Sequence, residues 1–230
     1  MTDTPFQIGF VLFDHLTQLD FTGPLQVLSR LPGAQIHLLA KTLEPVTTDG
    51  VLTIPPTLRF ADCPQLDLIC VPGGFGVDDA MQDAELVDFV RRQGAGARYI
   101  TSVCTGAFIL GAAGLLKGRQ ATTHWAYHDA LADTGAIPVQ ARVVRDGNLI
   151  TGGGVTAGID FALTVMAELA GEETARAVQL LIEYDPAPPF SSGSPATARP
   201  GTLEKARARY ATRLPGFRTA LKEAMDGKPV

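Results

Sequence analysis

At 230 residues, 46% hydrophobic and 19% charged, the chain suits one sizeable domain or two small ones. Its net charge of −5 and its lack of clustered Lys and Arg exclude a nucleic-acid-binding footprint. No apolar stretch reaches transmembrane length, and the first apolar run, Ile8 to Phe13, lacks the basic flank of a signal peptide, so a soluble cytoplasmic protein with reduced thiols is expected.

Apolar runs of strand length alternate with helical spacing along the chain. Residues 7–13 read as a strand and 21–31 as a helix entered through Thr22-Gly23-Pro24. Residues 35–40 form the next strand, and 41–57 read as loop with an extended piece at 51–54. A buried strand at 66–71 ends in Pro72-Gly73-Gly74. Apolar residues at 86, 89 and 90 predict a helix over 84–94. Residues 98–103 read as a strand, and 107–116, rich in small residues, as a helix. A further helix is expected over 124–134 and a hairpin over 143–150, turning at Asp146-Gly147. Helices are predicted at 156–169 and 172–183. This alternation predicts an α/β fold, a mostly parallel sheet flanked by helices on both faces. Residues 184–201 hold five prolines and read as a wrap or linker. Leu203, Ala206, Tyr210, Leu214, Phe217 and Leu221 then recur at helical spacing, with Pro215-Gly216 expected to break or kink the helix. This apolar stripe needs the domain body or a second subunit to cover it. One domain over 1–230 is expected, with the wrap at 184–201 and a helical tail at 202–226.

Cys104 carries the strongest chemical signal. It lies where an apolar strand turns into a helix, as at a nucleophile elbow, and a helix N-terminus favours the thiolate. A free Cys is equally a small buried hydrophobe. Cys70 lies inside an apolar run and Cys63 in a loop; three cysteines without CxxC argue against a disulfide framework. Asp20 sits between Leu19 and Phe21 just before a helix, either as an N-cap or as a partly buried acid able to move a proton. Gly73 and Gly74, at a strand end, offer backbone N–H groups as an oxyanion hole or merely a tight turn. His124 and His128 are four apart, but no Glu follows His124 as in a zincin and no third ligand is evident, so no metal is expected. A Cys104–His124 pair ranks below Cys104–Asp20. Gly152-Gly153-Gly154 marks another strand-to-helix turn, with Gly153 as close packing or a hinge near the site.

The combination Leu19-Asp-Phe-Thr-Gly-Pro24, Val71-Pro-Gly-Gly74, Thr101-Ser-Val-Cys-Thr-Gly106 and Ala121-Thr-Thr-His-Trp125 resembles the DJ-1/PfpI superfamily, over about residues 6–195. The resemblance implies a class I glutamine-amidotransferase-like (flavodoxin-like) sandwich. Asp20 stands where DJ-1 itself has a glutamate, and an Asp with Cys-Thr-Gly is similar to the bacterial isocyanide hydratases. What this implies is an enzyme in which Cys104 attacks an isocyanide to form a thioimidate and Asp20 supplies the proton. Thr105 would hold the geometry of either, and the Gly74 and Thr105 N–H groups would line the site. Phe75, Phe108 and Trp125 are candidate pocket walls. No cofactor is implied, and a homodimer is. Sensor domains of AraC-type regulators share these motifs, but about thirty residues after Pro200 are too few for their helix-turn-helix region. A redox sensor or deglycase of the DJ-1 type fits Asp20 less well.

Overall fold

The computed structural model describes residues 4–227; the outermost residues of the expected domain, 1–3 and 228–230, lie outside them. In chain order the elements are β1 (Phe6–Val11), α1 (Gln18–Leu28), β2 (Ala34–Ala40), β3 (Val46–Thr47), β4 (Thr53–Ile54), β5 (Leu58–Arg59), β6 (Leu68–Val71), α2 (Val77–Ala80), α3 (Ala84–Gly96), β7 (Tyr99–Val103) and α4 (Gly106–Ala112). There follow β8 (Gln120–Ala121), a 3-10 helix (Trp125–Thr134), β9 (Ile137–Pro138), β10 (Val143–Asp146), β11 (Leu149–Gly152), α5 (Ala157–Ala170), α6 (Glu172–Leu181), α7 (Pro200–Ala211) and α8 (Leu214–Asp226).

Seven strands form one sheet in the order β10-β11-β7-β6-β1-β2-β5, parallel throughout except where β10 pairs with β11. Strand β6 is buried at every residue, as a central parallel strand covered on both faces requires. On one face α5 packs against α1, α6 and β11; on the other α4 packs against α3, α8, β6 and β7. The chain moves outward from β1 to β2 and β5, then returns to place β6 on the other side of β1. Such a reversal opens a crevice beyond the carboxyl ends of the strands, where ligands bind in open α/β sheets. Asp20 follows β1, Gly73 and Gly74 follow β6, and Cys104 follows β7, so three separated motifs meet at that crevice.

The structure moves several expected boundaries. Helix α1 begins three residues earlier than expected, at Gln18. Asp20 is therefore in its first turn and fully buried, which removes the N-cap reading; Thr17 occupies the cap position. The expected helix over 124–134 is a 3-10 helix that His124 caps, its Nδ1 accepting from the Ala126 N–H at 3.2 Å. The tail does break, but at Thr212 and Arg213; Pro215 starts α8, where its missing N–H costs nothing. Phe217 and Leu221 are buried in the chain's own body, Phe217 between Phe108 and Tyr127 at ring-centroid distances of 4.7 Å each.

Candidate active site

Cys104 has φ +57, an uncommon backbone state for a residue with a Cβ. Its neighbours hold it there. The Cys104 N–H donates to the carbonyls of Gly152 (3.0 Å) and Gly153 (2.9 Å), and its carbonyl accepts from the Thr123 hydroxyl at 2.7 Å. Strand β7 is thereby tied to the end of β11 just where the chain turns. Gly106 allows the turn: a Cβ there would collide with the carbonyl oxygens of Val71 and Pro72. Backbone hydrogen bonds from Val155 and Thr105 reach the sulfur.

Asp20 lies behind the thiol. Its Oδ2 accepts from the Gly73 N–H at 3.0 Å, and its Oδ1 is buried with no conventional partner. Burial raises its pKa to about 7, against the opposing effects of hydrogen bonds from Cys104 and Gly73. The Cys104 thiol is pushed well above its ordinary range, first by burial and then by the charge of Asp20. This corrects the expectation of a thiolate favoured by the helix N-terminus: the two backbone hydrogen bonds do not outweigh desolvation. The resting pair is a thiol beside a carboxyl that titrates near neutrality, and the two share their protons as one unit.

The glycine loop after β6 does different work from that expected. The Gly73 N–H is held by Asp20, and the Gly74 N–H donates to the Thr105 hydroxyl at 3.0 Å, so neither is free as an oxyanion donor. Thr105 in turn donates to the Gly74 carbonyl at 3.3 Å; it clamps this loop rather than Asp20 or Cys104. Gly74 has φ +142, and a Cβ there would lie 2.5 Å from the His15 carbonyl oxygen and the Thr17 N. A Cβ on Gly153 would meet the Arg142 carbonyl oxygen at 3.5 Å, an ordinary contact, whereas one on Gly154 would strike the His124 ring at 2.5 Å.

The sulfur opens into a pocket of about 160 Å³ lined by Thr17, Asp49, Gly74, Phe75, Cys104, Thr105, His124, Tyr127, Val155 and Tyr210. Of the three expected apolar walls only Phe75 is among them. Phe108 lies in the core, and Trp125 faces the neighbouring cavity. His124 does reach the pocket, but burial lowers its pKa to about 4 and Nδ1 is an acceptor, which leaves a neutral ring with its proton on Nε2. It is a poor base for the thiol and a hydrogen-bond donor at most. His128 lines the other cavity, so the two histidines do not converge.

The sequence reading missed Thr123, Tyr127 and Tyr210. Thr123 stood in a motif already singled out, and Tyr210 stood on the apolar stripe of the tail; neither residue type signals a site by itself.

A family model described as the DJ-1/PfpI family matches residues 7–168. A protein of Pseudomonas putida named isonitrile hydratase is 59% identical over 222 residues, 96% of this chain and 97% of its own length. The transcriptional regulator GbdR of Pseudomonas aeruginosa is 30% identical over 191 residues, covering 79% of this chain and 51% of the regulator. Among solved structures, a ThiJ/PfpI family protein from Pseudomonas syringae superimposes with a TM-score of 0.92 at 46% identity, over 94% of this chain and 90% of that one. DJ-1beta of Drosophila melanogaster gives 0.69 at 26% identity, over 78% of this chain and 98% of that one. With the cysteine elbow on β7, the acid after β1 and this breadth of similarity, the chain belongs to the DJ-1/PfpI family.

Proposed function

We propose that this chain is an isocyanide hydratase, converting R–N≡C and water to the formamide R–NH–CHO. The observation that carries the reading is the Cys104–Asp20 pair: a nucleophile and a proton carrier, both buried and coupled, with the sulfur opening into a small pocket. The terminal carbon of an isocyanide must gain both a nucleophile and a proton, and this pair can supply both to one atom. The near-full-length similarity to the Pseudomonas putida isonitrile hydratase supports the same reading; similarity to the regulator spans only half of that protein.

The Asp20 carboxylate takes the thiol proton as sulfur attacks the terminal carbon. The acid so formed delivers that proton to the same carbon, giving the thioimidate R–N=CH–S–Cys104. Asp20, again a carboxylate, helps a water attack this carbon; the nitrogen gains a proton, and the C–S bond breaks to return the thiol and release the formamide. Bonds from the Thr105 and Val155 backbone meet charge on the sulfur, and Thr105 with Gly73 and Gly74 holds the loop that orients Asp20. No organic cofactor or metal takes part in this scheme.

The chain works as one unit, because Tyr210 of the tail completes the pocket. It acts as a homodimer in the cytoplasm, where its three free cysteines stay reduced. Among the described residues no helix is long and apolar enough to cross a membrane.

The test is to incubate reduced, folded protein with an alkyl isocyanide and to follow formamide. The expected result is turnover in the parent and none above the uncatalysed rate in Cys104→Ala, with Cys63→Ala close to the parent. An inactive parent would shift the reading to small-molecule sensing or to DJ-1-like redox chemistry.

A further inference from the structure

Tyr210 lies on α7, a helix with no buried residue, yet its ring closes the side of the pocket above Cys104. The ring sits among three others, with centroids 5.3 Å from His124, 5.6 Å from Trp125 and 5.7 Å from Tyr127. Among the described residues no group hydrogen-bonds its hydroxyl, so edge and face contacts alone set its position. Behind it lies a second cavity of about 410 Å³, whose walls include Trp125, Gln140, Arg207, Ala211 and Leu214. Among the described residues, Tyr210 is the one that lines both spaces. The helix that carries it is fastened just beyond it: Arg213 donates to Asp78 at 2.8 Å and to the Phe75 carbonyl, and its guanidinium stacks over the Phe75 ring at 4.8 Å.

The catalytic pocket is smaller than the roughly 300–1,000 Å³ of sites that hold drug-sized ligands. With Tyr210 in place it takes a reacting group with a compact substituent. Without that ring, the space above the sulfur runs on into the neighbouring cavity, which is large enough for an aromatic or branched one.

We propose that Tyr210 is a specificity-determining residue: its ring divides the catalytic pocket from the adjoining cavity and so sets the size of R that reaches Cys104. The inference rests on the isocyanide reading for its substrate, but the partition itself is a matter of access to the sulfur. Two measurements separate the two claims.

The first compares kcat/KM for ethyl isocyanide and 2-naphthyl isocyanide. Tyr210→Ala raises the naphthyl-to-ethyl ratio at least tenfold, and Tyr210→Phe, which keeps the ring, leaves the ratio within twofold of the parent. Adding Ala211→Phe to Tyr210→Ala refills the second cavity and brings the ratio back toward the parent. The second measures alkylation of Cys104, identified by peptide mass mapping, with iodoacetamide and with N-(1-pyrenyl)maleimide. Tyr210→Ala accelerates the bulky reagent at least tenfold more than the small one. Should the alanine variant fold poorly, Tyr210→Leu keeps more of the packing and is held to the same two ratios. A folded variant in which neither ratio moves overturns the proposal. A shifted alkylation ratio in a protein that hydrates no isocyanide leaves the partition standing and refutes the substrate.

Discussion

Asp20 gains its chemistry from where α1 begins. Because the helix starts at Gln18, the carboxyl is carried inward rather than left at a cap, and Gly73 and the thiol hydrogen-bond to it. Its pKa near 7 has a consequence for stability as well as for turnover. Between the ordinary carboxylate value of 3.8 and about 7, the folded chain keeps a proton that the unfolded chain gives up. The stabilisation tied to that proton is full below pH 4 and is lost as pH rises through 7, by roughly 4 kcal/mol for a shift of this size. Asp20→Asn cannot ionise, so its melting temperature should gain on the parent's between pH 4 and pH 8. Melting curves whose difference is independent of pH would contradict a raised pKa. The same variant should lose about a hundredfold or more in turnover, as for a lost general acid. Its amide oxygen still accepts from Gly73, so near-parental turnover would show that Asp20 only holds the loop.

At the scale of elements, the site is a set of strand-to-helix turns, and glycines fit them in unequal degree. Gly106→Ala drives a Cβ into two backbone carbonyls that have nowhere to go, so a loss of roughly 2–4 kcal/mol or a failure to fold is expected. Gly153→Ala meets only ordinary contacts, and its stability should change by less than about 1 kcal/mol. If Gly153 is a hinge beside the thiol, that same variant should turn over more slowly at an unchanged melting temperature; unchanged turnover would refute the hinge. Chemical denaturation and steady-state rates of both variants give the two answers. These turns were legible in the sequence, since Cys104 between an apolar run and small residues, and paired glycines after another, are local signals. Which N–H groups stay free was not legible. Gly74 is 31 residues from the hydroxyl it bonds, and Gly73 is 53 from its carboxylate, so parallel-strand register decides both partners. The sign of the thiol's pKa was not legible for a related reason: a helix N-terminus is visible in sequence, whereas the burial that opposes it exists only in the folded chain.

For the whole molecule, alternating patterns predicted the parallel sheet and its two helical layers, and the tail's apolar stripe predicted that it must be covered. The stripe could not tell whether its own body or a second subunit covers it. The structure assigns Phe217, Ala220 and Leu221 to the chain's own core, so the proposed dimer must use another surface. Helix α6 ends in Leu180 and Leu181, 81% and 74% exposed, next to the proline-rich wrap with its exposed Phe190. Adjacent exposed leucines on an amphipathic helix are unusual on a monomer and fit a self-complementary two-fold contact. The proposed homodimer is accordingly expected to form through α6. Sedimentation of the parent at micromolar concentration should give about twice the 24.3 kDa chain mass. Leu180→Glu with Leu181→Glu places like charges against their own copies across such a contact, and should shift the equilibrium to monomer. Turnover measured on that monomer then tests whether the pocket residues of one chain, from Thr17 to Tyr210, suffice by themselves. A parent that sediments as a monomer would refute the dimer, and a double variant that stays dimeric would move the interface away from α6.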